Sequence, residues 1–337
     1  MKIAITGGAG FIGTHVTRAY LDAGHDVLVI DNLCHGNHHT IDPRARFHHI
    51  DIRDEKLRTI LQHERPDVVS HHVTQIWQDY PFTRLLPDAD VHIRGLLHVL
   101  HCCVEASVSK FIYISSGNGL YAAADMEQLP LAESATLQPQ LPVDISKATG
   151  EWYVRYCTQA YGLKHTILRY ADVYGETDPT RITPTAHPLS YFISMLNEER
   201  RPVIRGSGED MRDHIYIDDV VKANICTLQR GENQTLHISS GHGYTQNQLY
   251  RMVALLMKSK QEPVYISGSL AEAVPVALDN TLAQQKLGWQ PTIGLTEGLR
   301  RMIAALAQRR EQPEPAIAHV RKKLAPVVTV QYAYTRA

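Results

Sequence analysis

Three glycines, Gly7, Gly10 and Gly13, follow an apolar run at the start of the chain, and no other feature narrows the fold as much. Lys2-Ile3-Ala4-Ile5-Thr6 reads as a short strand, His15 to Leu21 as a helix, and Val27 to Asp31 as a second strand. In a strand–turn–helix–strand unit of this kind, Gly7 permits the tight turn and Gly10 lets a pyrophosphate approach the backbone at the helix N-terminus. Gly13 lets helix and strand pack closely. Asp31 ends the second strand, placed to accept both hydroxyls of a ribose. No Lys or Arg occurs from Asn32 to Asn37, and a carboxylate there repels a 2′-phosphate, so the expected cofactor is NAD rather than NADP. Phe11 and Ile12 in the turn, with Asn32 and Asn37 beyond Asp31, complete the local candidate set.

The alternation continues. Residues 47–50, 67–70, 111–115 and 165–169 read as strands, and 54–63, 89–107 and 144–160 as helices. Such β–α units imply an α/β fold: a doubly wound parallel sheet of the Rossmann type that binds ligand beyond the carboxyl ends of its strands. We expect a cofactor-binding domain over residues 1–171, a smaller mixed α/β substrate lobe over 172–311 with strand or helix returns to the first domain, and a tail over 312–337. At 337 residues and 44% hydrophobic the chain can bury a large core. A formal charge of −1 offers no electrostatic case for nucleic acid or an acidic membrane surface. Five cysteines without metal-ligand spacing, and no long uncharged apolar stretch, fit reduced thiols and a cytoplasmic protein. His35, His38 and His39 cluster in a loop without an acidic or cysteine partner, so no metal site is expected.

Further motifs appear in order: Asp51-Ile52-Arg53-Asp54, Ser115-Ser116-Gly117-Asn118-Gly119-Leu120-Tyr121, Ser146-Lys147-Ala148-Thr149-Gly150-Glu151, Arg169 to Gly175, and Arg212 to Val220. With the glycine turn and Asp31-Asn32-Leu33, they make residues 1–305 resemble an extended short-chain dehydrogenase/reductase of the NAD-dependent sugar-nucleotide epimerase/dehydratase family. The resemblance implies adenine contacts from Asp51 and Ile52, a cofactor wall including Val73 and Gln75, a nicotinamide-ribose contact from Lys147, and a hydroxyl near the substrate from Ser116 or Ser115. It also implies a homodimer through the helices near 89–107 and 144–160, and a small-molecule substrate that is by default a nucleotide sugar.

The resemblance also shows what is missing. The family's catalytic tyrosine stands four residues before the lysine, where the ammonium lowers its phenol pKa. Here that position is Val143. Two residues are candidates to replace the phenol. Asp144, adjacent to the valine, reads first as a helix N-cap and second as an acid or base. His92 stands where the family has an asparagine; it reads first as a packed imidazole and second as a proton carrier held near Lys147. Asp172 replaces another family asparagine that helps hold a diphosphate, leaving Arg212, with Arg205 or Arg181, to bind the anion. Three readings stay open: an NAD-dependent epimerase/dehydratase-type enzyme with an atypical acid/base, a catalytically silent NAD-binding sensor or scaffold, and an enzyme of this fold turned to a non-nucleotide substrate.

Overall fold

The computed structural model describes residues 1–75, 82–121, 129–176, 187–267 and 276–311, without the side chains of 309–311. Arg181 and the expected tail lie outside the described residues. In chain order the first unit runs β1 (Lys2–Thr6), α1 (Phe11–Asp22), β2 (Asp26–Asp31), β3 (Arg46–His49), α2 (Lys56–Glu64), β4 (Val68–His71), α3 (Leu85–Ala89), α4 (Leu96–Glu105), β5 (Lys110–Ser116), α5 (Pro142–Tyr161) and β6 (Lys164–Tyr170). It is followed by β7 (Asp172–Tyr174), α6 (Pro188–Asn197), β8 (Val203–Arg205), β9 (Met211–Tyr216), α7 (Ile217–Thr227), β10 (Gln234–Ile238), β11 (Gly243–Thr245), α8 (Gln246–Leu256), β12 (Val264–Ile266), α9 (Thr281–Leu287) and α10 (Leu295–Glu311).

Seven parallel strands form the main sheet in the order β3-β2-β1-β4-β5-β6-β10. The direction of winding reverses between β1 and β4, and at such a switch point the βα turns part to leave a crevice. The strands are continuous apolar runs because helices cover both faces: Ile3, Ile5 and Ile112 face one core with Val16 and Val220, while Ala4, Leu28 and Phe111 face the other with Leu57 and Val99. Although β10 follows residue 171 by more than sixty positions, it pairs with β6, so the chain leaves the main sheet and returns.

Between departure and return, β7, β9 and β11 form a three-stranded sheet, and β8 pairs with β12. Tyr174, Phe192, Tyr216, Leu249 and Leu299 make a separate core for this lobe. The polypeptide crosses from β6 to β7 within Ala171, so the ends of the main strands and the lobe's small sheet share one cleft. Among the described residues, no helix is long and apolar enough to cross a membrane.

Candidate active site

The cofactor side of the cleft is built by backbone approach. Gly7 adopts φ 76°, and a Cβ there would lie 2.9 Å from the His72 carbonyl carbon; a Cβ on Gly13 would lie 2.3 Å from the Gly7 oxygen. Gly10 caps α1 with no side-chain hydrogen bond, so no side-chain cap takes up the first amides of Phe11, Ile12 and Gly13, an arrangement suited to an anion. The Asp31 carboxylate is buried and pinned by the amides of Ala9 at 3.0 Å and Leu33 at 2.7 Å. Asn32 donates to Asp51 at 2.7 Å, and Arg53 pairs with the same carboxylate and holds its pKa well below the usual range. Ile52 is buried, close enough to Gly95 that a Cβ there would lie 2.7 Å from its Cδ1. Asn37 caps a short turn through the His39 amide at 3.0 Å. The glycine cradle, the uncapped helix and the fixed carboxylate fit a dinucleotide.

On the opposite side stands the N-terminus of α5. The helix begins at Pro142, with Leu141 as its cap, because proline is favoured in the first turn, where its missing N–H costs no hydrogen bond. This corrects the expectation for Asp144: it is not the N-cap but lies within the first turn, buried, with its carboxylate turned inward. Ser116 acts on that carboxylate and favours its charged form, and Gly119 makes room for it, since a Cβ on Gly119 would lie 2.2 Å from the Asp144 Cγ. Burial raises the Asp144 pKa above the usual carboxylate range, Asp172 adds to this, and Ser116, Arg212 and Lys147 only partly offset it. Val143, one residue earlier, is half-buried and stands one turn before Lys147.

Lys147 is buried, with Nζ donating to the carbonyls of Ile114 at 2.9 Å and Val73 at 3.2 Å. It thereby ties α5 to the ends of β5 and β4. Burial lowers its pKa to about 8, against the attraction of Asp88 and Asp144. Ser115 points the other way: its hydroxyl donates to Glu151 at 2.7 Å, and Glu151 is paired with Arg169 at 2.7 Å in the interior. Of the two serines, Ser116 is the one that influences the cleft carboxylate. Tyr121 joins that same interior network through Arg169 at 2.8 Å, and Tyr170 bonds Asn224 at 2.7 Å.

His92 sits in a π-helical turn, Asp90–Gly95, between α3 and α4. Both ring nitrogens are engaged: Nε2 accepts from the Gln75 amide at 2.9 Å, and Nδ1 lies 3.2 Å from both the Asp88 carbonyl and an Asp88 carboxylate oxygen. Asp88 also accepts from Ser146 at 2.8 Å. The imidazole therefore braces the segment after β4 that carries Gln75 against Asp88 on α3. Burial lowers its pKa, more than Asp88 raises it.

The lobe supplies the third wall. Asp172 on β7 is the register partner of His214 on β9. Burial opposes the Asp172 charge, but Arg212, His214, His187 and the Asn118 amide outweigh it and hold the pKa low. His187 precedes α6 and lies 3.1 Å from His214, Nε2 to Nδ1. Arg212 acts on both Asp144 and Asp172. Arg205, by contrast, is exposed on β8. The expectation of no metal-ligating set does not describe this wall, where ligand atoms of Asp172, His187 and His214 all lie within 4.8 Å of one another. His187 went unremarked in the sequence because it falls outside every motif, and His214 because its motif was recognised by the flanking Arg212 and Asp213.

The geometry agrees with comparison to known proteins. Residues 3–239 match the NAD dependent epimerase/dehydratase family. The crystal structure of a Thermotoga maritima UDP-glucose 4-epimerase with UDP-glucose superposes with a TM-score of 0.87 at 34% identity, covering 92% of this chain and 100% of that one. A Thermus thermophilus UDP-glucose 4-epimerase in complex with NAD gives 0.83 at 26% identity, over 91% and 99%. In sequence, a UDP-glucose 4-epimerase of Mycolicibacterium smegmatis is 30% identical over 315 residues, 90% of this chain and 97% of that protein. From the glycine turn through β10, then, this chain is a member of the NAD dependent epimerase/dehydratase family.

Proposed function

We propose that the protein carries out an NAD-dependent epimerase- or dehydratase-type reaction on a nucleotide sugar, with Asp144 and Ser116 exchanging the hydroxyl proton that a tyrosine handles elsewhere in the family. The observation that carries this reading is the buried Asp144 carboxylate, influenced by Ser116 and lying within the field of Lys147. NAD, when bound, supplies a hydride acceptor beside these groups. The chain's own residues do the rest. Gly7, Gly10 and Gly13 admit the pyrophosphate, Asp31 holds the ribose diol, and Lys147 keeps a positive charge at the ends of β4 and β5. As a substrate hydroxyl loses hydride from its carbon, its proton passes to Ser116 as the Ser116 proton passes to Asp144. A raised carboxyl pKa suits this role because it narrows the gap between base and alcohol.

A buried lysine, an inward carboxylate and a serine that acts on it favour this over a silent cofactor binder, which needs none of them. The protein is incubated with NAD and a panel of UDP- and dTDP-hexoses, and the sugar products are resolved by NMR. Stereochemical inversion or loss of water with at least one of them is the expected result. Tight NAD binding with every sugar returned unchanged, and no isotope exchange at the sugar carbons, would refute it.

The assembly we propose is a homodimer through α4 and α5. Trp152 is 60% exposed and Tyr156 55%, and Leu97, Ile145 and Tyr153 add to the apolar surface of these helices. An indole exposed to this degree is the kind of large ring that anchors an interface core. Light scattering should give a dimer, and Trp152→Glu a monomer.

A further inference from the structure

We infer that Asp172, His187 and His214 form a binding site for a divalent transition metal of the zinc class, and that the metal gives the cleft the positive charge needed to hold a diphosphate. The second half rests on the nucleotide-sugar reading above; the first does not.

Two imidazoles and one carboxylate are a recognised ligand set for such ions, and three protein ligands leave coordination positions open to a small molecule. The set is built on rigid pieces. Asp172 and His214 are register partners in the β7–β9 pair, and in a sheet the side chains of such partners point to the same face. His187 is fixed at the mouth of α6, followed by Pro188 at the first helical position, with its ring at 78° to that of His214. The 3.1 Å separation of the two facing nitrogens matches neighbouring ligands around one ion with metal–nitrogen bonds of about 2.0–2.1 Å.

A second observation comes from Asn118. Its amide donates to the Asp213 carbonyl at 2.9 Å and also favours the Asp172 charge, yet its own Oδ1 is buried without a hydrogen-bond partner among the described residues, and the residue is 7% exposed. A buried, unpartnered oxygen on a residue that acts on Asp172 suits a cation or its bound water.

Proton accounting is simple. The His187 Nδ1 accepts from the Leu189 amide at 3.3 Å, so its proton sits on Nε2 and is shared with His214. Metal binding moves that proton to Nδ1 and frees both facing lone pairs, at the expense of one long capping bond at α6. The charges nearby oppose each other: Arg212 disfavours a cation, while Asp144 favours one.

The consequence for substrate follows from sign. Alone, the Asp172 carboxylate repels a diphosphate. With a divalent cation bound, the pair carries a net positive charge, joining Arg212 on the same wall.

The test uses the full chain with NAD bound, titrated calorimetrically with Zn²⁺ and in parallel with Co²⁺, whose visible absorption reports coordination. One ion per chain is expected. Asp172→Asn and His214→Phe should each weaken it by more than the roughly 10–100-fold typical of an outer-shell change, with NAD affinity and thermal melting preserved. Should either fail to fold, His187→Ala, on a half-buried residue, supplies the same reading. A double His38→Ala/His39→Ala variant should bind as the parent does. No binding, or binding lost with His38 and His39 but kept in the cleft variants, overturns the site. A second titration measures UDP affinity with and without Zn²⁺. Zn²⁺ should tighten UDP in the parent and not in Asp172→Asn. If the metal binds through the trio but UDP is indifferent to it, the metal site stands and the diphosphate role falls.

Discussion

The two walls of the cleft keep their chemistry in different ways. The cofactor wall, from β1 to the end of β2, works through the backbone: glycines without Cβ atoms, helix amides, and one carboxylate held by two amides. The substrate wall, made by the start of α5 with β7, β9 and the mouth of α6, works through side chains: Asp172, His187 and His214 stand together, and Asp144 lies within the field of Asp172. A backbone device admits almost no substitution without loss of the cofactor. A side-chain wall can be rewritten while the sheet beneath it stays the same, and this contrast lets plain family membership go with the unusual acid and base we propose.

The contrast predicts its own largest effect on the cofactor wall. Gly13→Val places a Cβ 2.3 Å from the Gly7 oxygen and 2.7 Å from the Gly8 Cα, both backbone atoms that have no rotamer in which to yield. Calorimetry should show NAD binding abolished, with a stability loss of about 1–3 kcal/mol in denaturant titration. A variant that binds NAD normally would show that the turn is not the rigid cradle described.

Next in size comes the substrate wall. Asp144→Asn keeps the shape and removes the proton acceptor, so turnover on the active nucleotide sugar should fall by about 10²–10⁴-fold, with NAD affinity within about twofold of the parent. Ser116→Ala should follow it, because the hydroxyl is the relay to that carboxylate. If Asp144→Asn retains full turnover, the carboxylate is structural and the proton leaves by another route.

Legibility in the sequence divides along the same line. Strand and helix alternation placed β3 to β6 within a residue or so, because parallel strands with both faces covered are nearly all apolar and the helices between them carry a 3.6-residue period. The glycine turn was readable because its function depends on glycine itself. Asp144 was misread because Pro142 starts α5 earlier than the run from Ile145 implied, moving the aspartate from the cap into the first turn. The meeting of Asp172, His187 and His214 could not be read at all. It depends on β7 lying beside β9 and on α6 folding back, contacts between segments 15 to 42 residues apart that no local pattern records. His92 was placed in the right neighbourhood, but the π-helical turn that carries it departs from the period used to orient it.

A pH profile sharpens the comparison further, with a smaller effect. Burial raises the Asp144 pKa, so kcat/KM should rise with pH as this carboxyl ionises, above the usual carboxylate range. Lys147, lowered to about 8 by burial, loses its charge as pH climbs through that value, and the rate should fall there. Lys147→Arg, which stays charged, should abolish the alkaline limb in whatever activity remains. An alkaline limb that persists unmoved in that variant would assign it to another group.

The smallest effect is expected at His92, although it is an imidazole beside the cleft. A proton carrier needs a free nitrogen facing the reacting group, and this ring has none to spare: Nε2 takes the Gln75 amide and Nδ1 faces Asp88. Its lowered pKa keeps it neutral across the working range, which suits an acceptor of one amide proton and a donor to the Asp88 carbonyl. His92→Asn should therefore cost about 1–2 kcal/mol of stability through the lost bonds. Turnover should change less than about tenfold, the threshold for general acid–base help being nearer 10²-fold, and both limbs of the pH profile should stay in place. A large fall in kcat with the acid limb displaced would move the proton from the Asp144–Ser116 pair to His92, and the substrate wall would then extend across the cleft into the very strand end that the cofactor turn packs against.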